Sequence, residues 1–144
     1  MIKGVDYTGV TVTFLCHDGK GEYVFHKRSN KCRDEHGMWD HGGGGLRFGE
    51  TLEVALYREV EEEYGTKPIS HEFMGFDEIM RVHEGKKTHW IAFRFKVLVE
   101  REKVINGEPE KIDEIGWFTL DVLPSPLHSV VPSVLAKYRD VLVS

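Results

Sequence analysis

The sequence predicts a mixed α/β domain in which helices lie against both faces of one sheet. Three observations carry that expectation: β-branched and aromatic runs near the start, a capped helix pattern from residue 51, and a second set of alternating segments followed by a closing helix. Residues 7–16, YTGVTVTFLC, read as a strand. HDGKGE is a turn, and YVFHKR continues as a second strand. Residues 29–38 are polar and read as a loop, and WDHGGGGLRFGE reads as a glycine-rich loop. Thr51 is a good N-cap type, and TLEVALYREVEEEY has helical spacing without Gly or Pro. Gly65 is a natural stop, and Pro68 follows it. Segments 69–83 and 87–99 alternate apolar and polar residues around HEGKK, which predicts a long hairpin. Residues 100–111 form a charged loop, EIGWFTL a further strand and DVLPSP a turn. Residues 128–142 predict one closing helix with Val130, Val131, Val134, Leu135, Tyr138 and Val141 on its apolar side.

The chain has 144 residues, enough for one domain, 1–144, with a core that needs no staples. No repeat, low-complexity tract or Pro/Ser-rich linker marks a boundary. The formal net charge of -5 argues against non-specific binding to duplex nucleic acid, which needs a basic face. It leaves small anionic ligands open, because a bound metal reverses the local field. Cys16 and Cys32 are isolated thiols without a CxxC, which suits a reducing compartment. No apolar run approaches the roughly 20 residues of a membrane helix, and the N-terminus lacks the apolar stretch of a signal peptide. These features predict a cytoplasmic protein.

The helix pattern contains REVEEEYG, residues 58–65, which crowds Glu59, Glu61, Glu62 and Glu63 into little more than one turn. At about 100° per residue, Leu52, Leu56 and Val60 form an apolar stripe. Glu63 falls between Leu52 and Leu56 in angle, Glu59 lies beside Leu52, Glu62 flanks the stripe, and Glu61 points to water. Like charges three and four positions apart cost about 0.2–0.5 kcal/mol per pair, and this is the helix end where negative charge is disfavoured. Two readings account for the crowding: a compensating hard cation such as Mg2+ or Mn2+ held by carboxylate oxygens, or a structural ion-pair network. Gly42–Gly45, a few residues upstream, allow close backbone approach to a ligand; a flexible turn is the plainer reading. No Gly-Lys-Ser/Thr follows, so this is not a Walker A loop.

From residue 44 to 66 the sequence resembles the Nudix box: Gly, five residues, Glu, seven residues, Arg-Glu, apolar, any, Glu-Glu, any, Gly, apolar. Gly44, Glu50, Arg58, Glu59, Val60, Glu62, Glu63 and Gly65 fit, and Thr66 stands at the final apolar position. Many relatives carry Pro-Gly-Gly just upstream, and Gly42 stands where that proline would be. The resemblance implies an α/β/α sandwich with a mixed β-sheet between helices. It implies hydrolysis of a diphosphate linkage in a nucleoside diphosphate joined to another group. It implies that Glu59, Glu62 and Glu63 bind a divalent metal, Mg2+ or Mn2+, helped by the Gly43 carbonyl. One of these carboxylates, or a glutamate outside the box, takes the proton from the attacking water. Arg58 and Glu50 pair and orient the helix. The chemistry is consistent: a diphosphate carries dense negative charge, and its hydrolysis needs positioning and charge neutralisation.

Outside the box, GEPEKIDEIGWF, residues 107–118, resembles a late segment of MutT-like nucleoside triphosphate pyrophosphohydrolases that supplies one more carboxylate. Glu110 is the candidate there, with Glu108 and Glu78 behind it; a solvated loop charge is the alternative. Lys27 and Arg28 are placed to meet outer phosphates or to be plain surface charges. Trp90, Phe93, Trp117 and Phe118 could stack on a base, though aromatic residues in strands more often pack in a core. His41 beside Trp39 reads as a turn residue, and Cys32, His36 and His41 match no zinc spacing. Arg28-Ser29, Arg33 and Gly37 share spacing with the upstream signature of coenzyme A pyrophosphatases, which ends Phe-Pro-Gly-Gly where this chain has His41-Gly42-Gly43-Gly44. The expected partner is a small-molecule nucleotide, with neither duplex nucleic acid nor a membrane, and a homodimer is left open. The leading expectation is hydrolysis of a nucleoside triphosphate, oxidised ones included, to the monophosphate and pyrophosphate. The alternatives are an ADP-ribose, coenzyme A or nucleotide-sugar pyrophosphatase and, from another class, a non-catalytic nucleotide sensor.

Overall fold

The computed structural model describes residues 1–144, with His83 described by its backbone alone. The strands are β1 (Gly9–His17), β2 (Glu22–Arg28), β3 (Trp39–Asp40), β4 (Gly42–Gly45), β5 (Ser70–His83), β6 (Lys86–Leu98) and β7 (Ile112–Thr119). The helices are α1 (Leu52–Tyr64), α2 (Val131–Lys137) and α3 (Arg139–Leu142). The sheet runs β3-β2-β1-β6-β5, with β4 paired to β1 and β7 to β2. It is mixed: β1 and β6 are parallel from Gly9–Trp90 to His17–Leu98, and the other named pairs are antiparallel.

Strand alternation builds two apolar layers. On one face Val12, Phe14, Cys16, Val24, Phe95 and Val97 pack against Ala55, Leu56, Val60 and Tyr64 of α1. On the other, Leu15, Tyr23, Phe25 and Trp39 pack against Val131, Val134, Leu135, Tyr138 and Leu142. Successive residues of β1 thus serve opposite cores, as a period of two requires. The α/β/α arrangement expected from the sequence is present.

Local chemistry sets α1. The Thr51 hydroxyl accepts the Val54 amide at 3.2 Å, and Gly65 ends the helix at φ 69, its amide bonded to the Glu61 carbonyl at 2.9 Å. The long hairpin also forms, from Ser70–Leu98 to His83–Lys86.

Two expectations are corrected. The glycine run is not a loop: Gly42–Gly45 is a strand that pairs with Phe14–Thr11 of β1. The closing helix is two short helices broken at Tyr138, whose backbone leaves the helical region at φ -106, ψ 17. Its hydroxyl donates to Asp77 Oδ2 at 2.9 Å, and the shift in phase puts Leu142 rather than Val141 in the core.

β1 and β2 pair only at His17–Tyr23 and then part, β1 towards β4 and β2 towards β3 and β7. A cavity of about 790 Å³ opens where they diverge, roofed by α1.

Candidate active site

Five carboxylates line that cavity: Asp40 of β3, Glu59, Glu62 and Glu63 of α1, and Glu108 of the loop before β7. The wheel geometry explains the three of α1. Glu63 sits at 5 % exposure beside the α1 core residues, Glu59 is largely covered, and the Glu62 side chain is 41 % exposed. Glu61 is exposed and lies outside the cavity lining.

Burial, more than mutual repulsion, disfavours the charged forms of Glu63 and Glu59. Burial, then the neighbouring Glu59, pushes the Glu63 carboxyl well above the usual range, although the Gly43 amide donates to its Oε2 at 3.1 Å. Burial also raises Glu59, against the opposing pull of Arg58. A set of oxygen donors whose charge is costly to keep is chemically suited to a hard divalent cation, which removes that cost.

Arg58 organises the approach. Its guanidinium donates to Glu50 through Nε at 2.7 Å and Nη2 at 2.8 Å, to Glu59 Oε1 at 2.6 Å and to the Gly45 carbonyl at 3.1 Å. This fork fixes the loop before α1, one carboxylate of the cluster and the end of β4 at once. Hydrogen bonding to Arg58 lowers the Glu50 carboxyl to about 2.

On the opposite wall, Gly42 and Gly44 stand where a side chain would collide with its neighbours. A Cβ on Gly44 would lie 2.1 Å from the Glu59 carboxyl carbon, and one on Gly42 would lie 1.9 Å from the Phe14 ring. The run therefore serves close approach, with the Gly43 amide donating to Glu63, rather than a flexible turn.

The NUDIX domain family model matches residues 7–138. The chain belongs to the Nudix hydrolase family. An RNA pyrophosphohydrolase of Acinetobacter baylyi is 30% identical over 147 residues, covering 92% of this chain and 84% of the relative. An oxidized purine nucleoside triphosphate hydrolase of Danio rerio is 33% identical over 98 residues, which cover 61% of this chain and 53% of the relative. Among solved structures, the MutT NUDIX hydrolase from Burkholderia pseudomallei superposes with a TM-score of 0.80 at 26% identity, covering 92% of this chain and 98% of that one.

Gly43 and the Nudix box residues Glu59, Glu62 and Glu63 are thus brought together at one cavity, with Arg58 behind them on Glu59. Glu110 is not. It lies on the exposed side of the turn at 108–112, whose backbone closes through Lys111 and Ile112 amides on the Glu108 carbonyl, at 2.9 Å each. The Ser29 hydroxyl ties the Glu110 carbonyl at 2.5 Å, and the carboxylate delivered to the cavity is Glu108. Glu78 sits on β5 beside a separate hollow near α2. Arg28 lines the cavity, held by Asp34 at 3.0 Å, whereas Lys27 is absent from the lining. Phe93 and Trp117 pack against the α1-side core and Phe118 against the other. Trp117 also lies under Arg101 at 4.6 Å. Trp90 borders a second cavity of about 530 Å³ that joins the first along a shared wall, Arg28, Arg33, Gly44, Gly45 and Lys111 among it. Cys32 and His36 form no cluster with His41: Cys32 Sγ donates to the Lys111 carbonyl, and His41 is buried, with Nδ1 donating to the Gly42 carbonyl at 2.9 Å.

His26 and Asp40 were missed by sequence reasoning. They face each other across β2 and β3 and line the cavity, with His26 Nδ1 bonded to the Tyr64 hydroxyl at 2.7 Å. The available signal was alternation. Trp39 faces one core, so Asp40 must face the α1 side.

Proposed function

We propose that this chain hydrolyses a diphosphate linkage in a nucleoside derivative, and that its substrate is a nucleoside triphosphate, oxidised ones included, cleaved to the monophosphate and pyrophosphate. The observation that carries the reading is the convergence of Glu59, Glu62, Glu63 and Glu108 on one cavity faced by the glycine strand. The RNA pyrophosphohydrolase and oxidised-purine hydrolase named among its relatives support a substrate with a polyphosphate end.

Glu59, Glu62, Glu63 and the Gly43 carbonyl would hold Mg2+, or Mn2+. That ion supplies neutralisation of phosphate charge and acidification of water. Glu63 is anchored by the Gly43 amide and Glu59 by Arg58, so both are positioned ligands. Glu62 is the freest of the three, its nearest Arg58 contact being 3.4 Å, and it is the group suited to accept the proton of the attacking water. Glu108 takes the place foreseen for Glu110, facing the helix cluster from the opposite loop. The second cavity, which meets the first at Arg33 and Lys111, leaves room for the rest of the substrate.

The test is product release with Mg2+ across nucleoside triphosphates, oxidised nucleotides, a 5′-triphosphorylated oligoribonucleotide, ADP-ribose, coenzyme A and nucleotide sugars. Glu62→Gln and Glu63→Gln should each lower kcat by roughly 10²–10⁴-fold with the melting temperature kept. Removing the metal with chelator should abolish turnover in the wild type. Near-wild-type rates in both variants would sink the proposal, and tight nucleotide binding without turnover would replace it with a sensor.

A further inference from the structure

The cavity that collects carboxylates on one side collects cations on the other: Arg28, Lys31, Arg33, Arg47 and Lys111 all line it. Their counterions differ. Arg28 is neutralised by Asp34 at 3.0 Å and Asp40 at 3.5 Å, and Arg47 meets Glu62 at 3.8 Å. Arg33 reaches only Asp34, at 3.7 Å, a carboxylate already committed to Arg28. Among the described residues, Lys31 and Lys111 have no ion-pair partner. A chain with 24 acidic and 19 basic residues leaves two lysines unpaired at the mouth of its most acidic cavity.

Their placement is fixed by the backbone. The Lys111 carbonyl accepts the Ser29 amide at 2.9 Å and the Cys32 thiol at 3.3 Å, and the Ser29 hydroxyl bonds the Glu110 carbonyl. The 29–33 loop and the 108–112 turn are therefore stitched together, which brings Lys31, Arg33 and Lys111 to one rim. The same turn sends Glu108 and, three residues on, Lys111 into the cavity. One element thus supplies a carboxylate to the acidic half and an ammonium to the basic half.

We propose that Lys31, Arg33 and Lys111 form a subsite for a further phosphate of the substrate, in line with the diphosphate that is cleaved. The inference rests on the diphosphate-hydrolase reading and extends it: the preferred substrates carry at least three consecutive phosphates. A metal held by the glutamates would neutralise two phosphates; a third, farther along, would need protein cations without other duties. A lysine ammonium is a compact donor suited to a phosphate oxygen whose orientation is not fixed, and a positively charged mouth also steers polyanions. The same subsite discriminates against substrates with only two phosphates, which leave it empty.

The test uses inorganic pyrophosphate and inorganic tripolyphosphate as probes, titrated calorimetrically into the full chain with excess Mg2+. Wild type should bind tripolyphosphate about tenfold more tightly than pyrophosphate, and Lys31→Gln/Lys111→Gln should erase that difference while leaving pyrophosphate affinity in place. A charge-matched control, Lys20→Gln/Lys67→Gln, removes the same charge from exposed positions outside the cavity and should keep the difference. Melting curves should be unchanged in both, because the backbone of Lys111 makes the loop contacts. Equal affinity for the two probes, no binding of either, or an equal loss in the control overturns the subsite. Diphosphate hydrolysis without a tripolyphosphate preference sinks the subsite alone. A tripolyphosphate preference without hydrolysis of any nucleotide sinks the hydrolase reading alone.

Discussion

Arg58 shows how much of this site depends on the geometry of a single side chain. Four of its contacts, Glu50 twice, Glu59 and the Gly45 carbonyl, need a planar fork. A lysine keeps the charge and loses the fork. Arg58→Lys should therefore lower kcat by about 10–100-fold, because a carboxylate displaced by an ångström no longer matches its ligand. Glu50→Gln should do much the same through the same contact. The two variants act on one unit, so the double variant should be little worse than either single. Steady-state kinetics on the three proteins decide it: losses that multiply would mean that Glu50 and Arg58 act separately.

At the scale of the element, β4 and α1 are built for each other. The glycines of β4 are extended and differ in what a side chain would strike. At Gly44 the obstacle is the end of a flexible glutamate; at Gly42 it is a buried ring. Gly44→Ala should leave the melting temperature nearly unchanged but cost most of the activity, since Glu59 swings out of the cluster. Gly42→Ala should instead destabilise the fold, by about 1–3 kcal/mol as overpacked cores do. Denaturant unfolding beside turnover separates them, and equal stability losses would refute this division of labour. The same contrast explains what the sequence could and could not tell. The α1 caps, Thr51 and Gly65, act within a few residues and are legible, as is the wheel that turns Glu59, Glu62 and Glu63 to one side. The strand character of Gly42–Gly45 is set by pairing with Thr11–Phe14 of β1, distant in sequence, and glycine carries no strand signal of its own. Glu108 and Glu110 are equivalent on paper. The bond from Ser29, 81 residues away, helps fix which of them faces the cavity. Tyr138 likewise breaks a helix in company with Asp77, a partner no local pattern announces.

For the whole molecule, the polar groups buried between α1 and the diverging strands tie stability to pH. His26 is buried against Tyr64, and burial lowers its pKa from 6.5 to about 4 despite the pull of nearby Asp40. The unfolded chain binds a proton at His26 below about 6.5, whereas the folded chain refuses it until about 4, so the unfolded state holds more protons across that window. Stability from this group is therefore fully present above pH 6.5 and is lost as the pH falls towards 4. The gap is worth about 3 kcal/mol at most. His41 has a pKa lowered by burial and adds in the same sense. Glu63, raised by burial, works the other way, gaining stability as it is protonated. His26→Gln keeps a hydrogen-bonding partner for Tyr64 and removes the titration. Chemical denaturation of both proteins at intervals from pH 7 to 4 should give the variant a shallower decline, with the wild type falling behind it as the pH approaches 4. Parallel declines would mean that His26 takes up its proton in the folded chain as readily as in the unfolded one, and that the cavity floor is open to water.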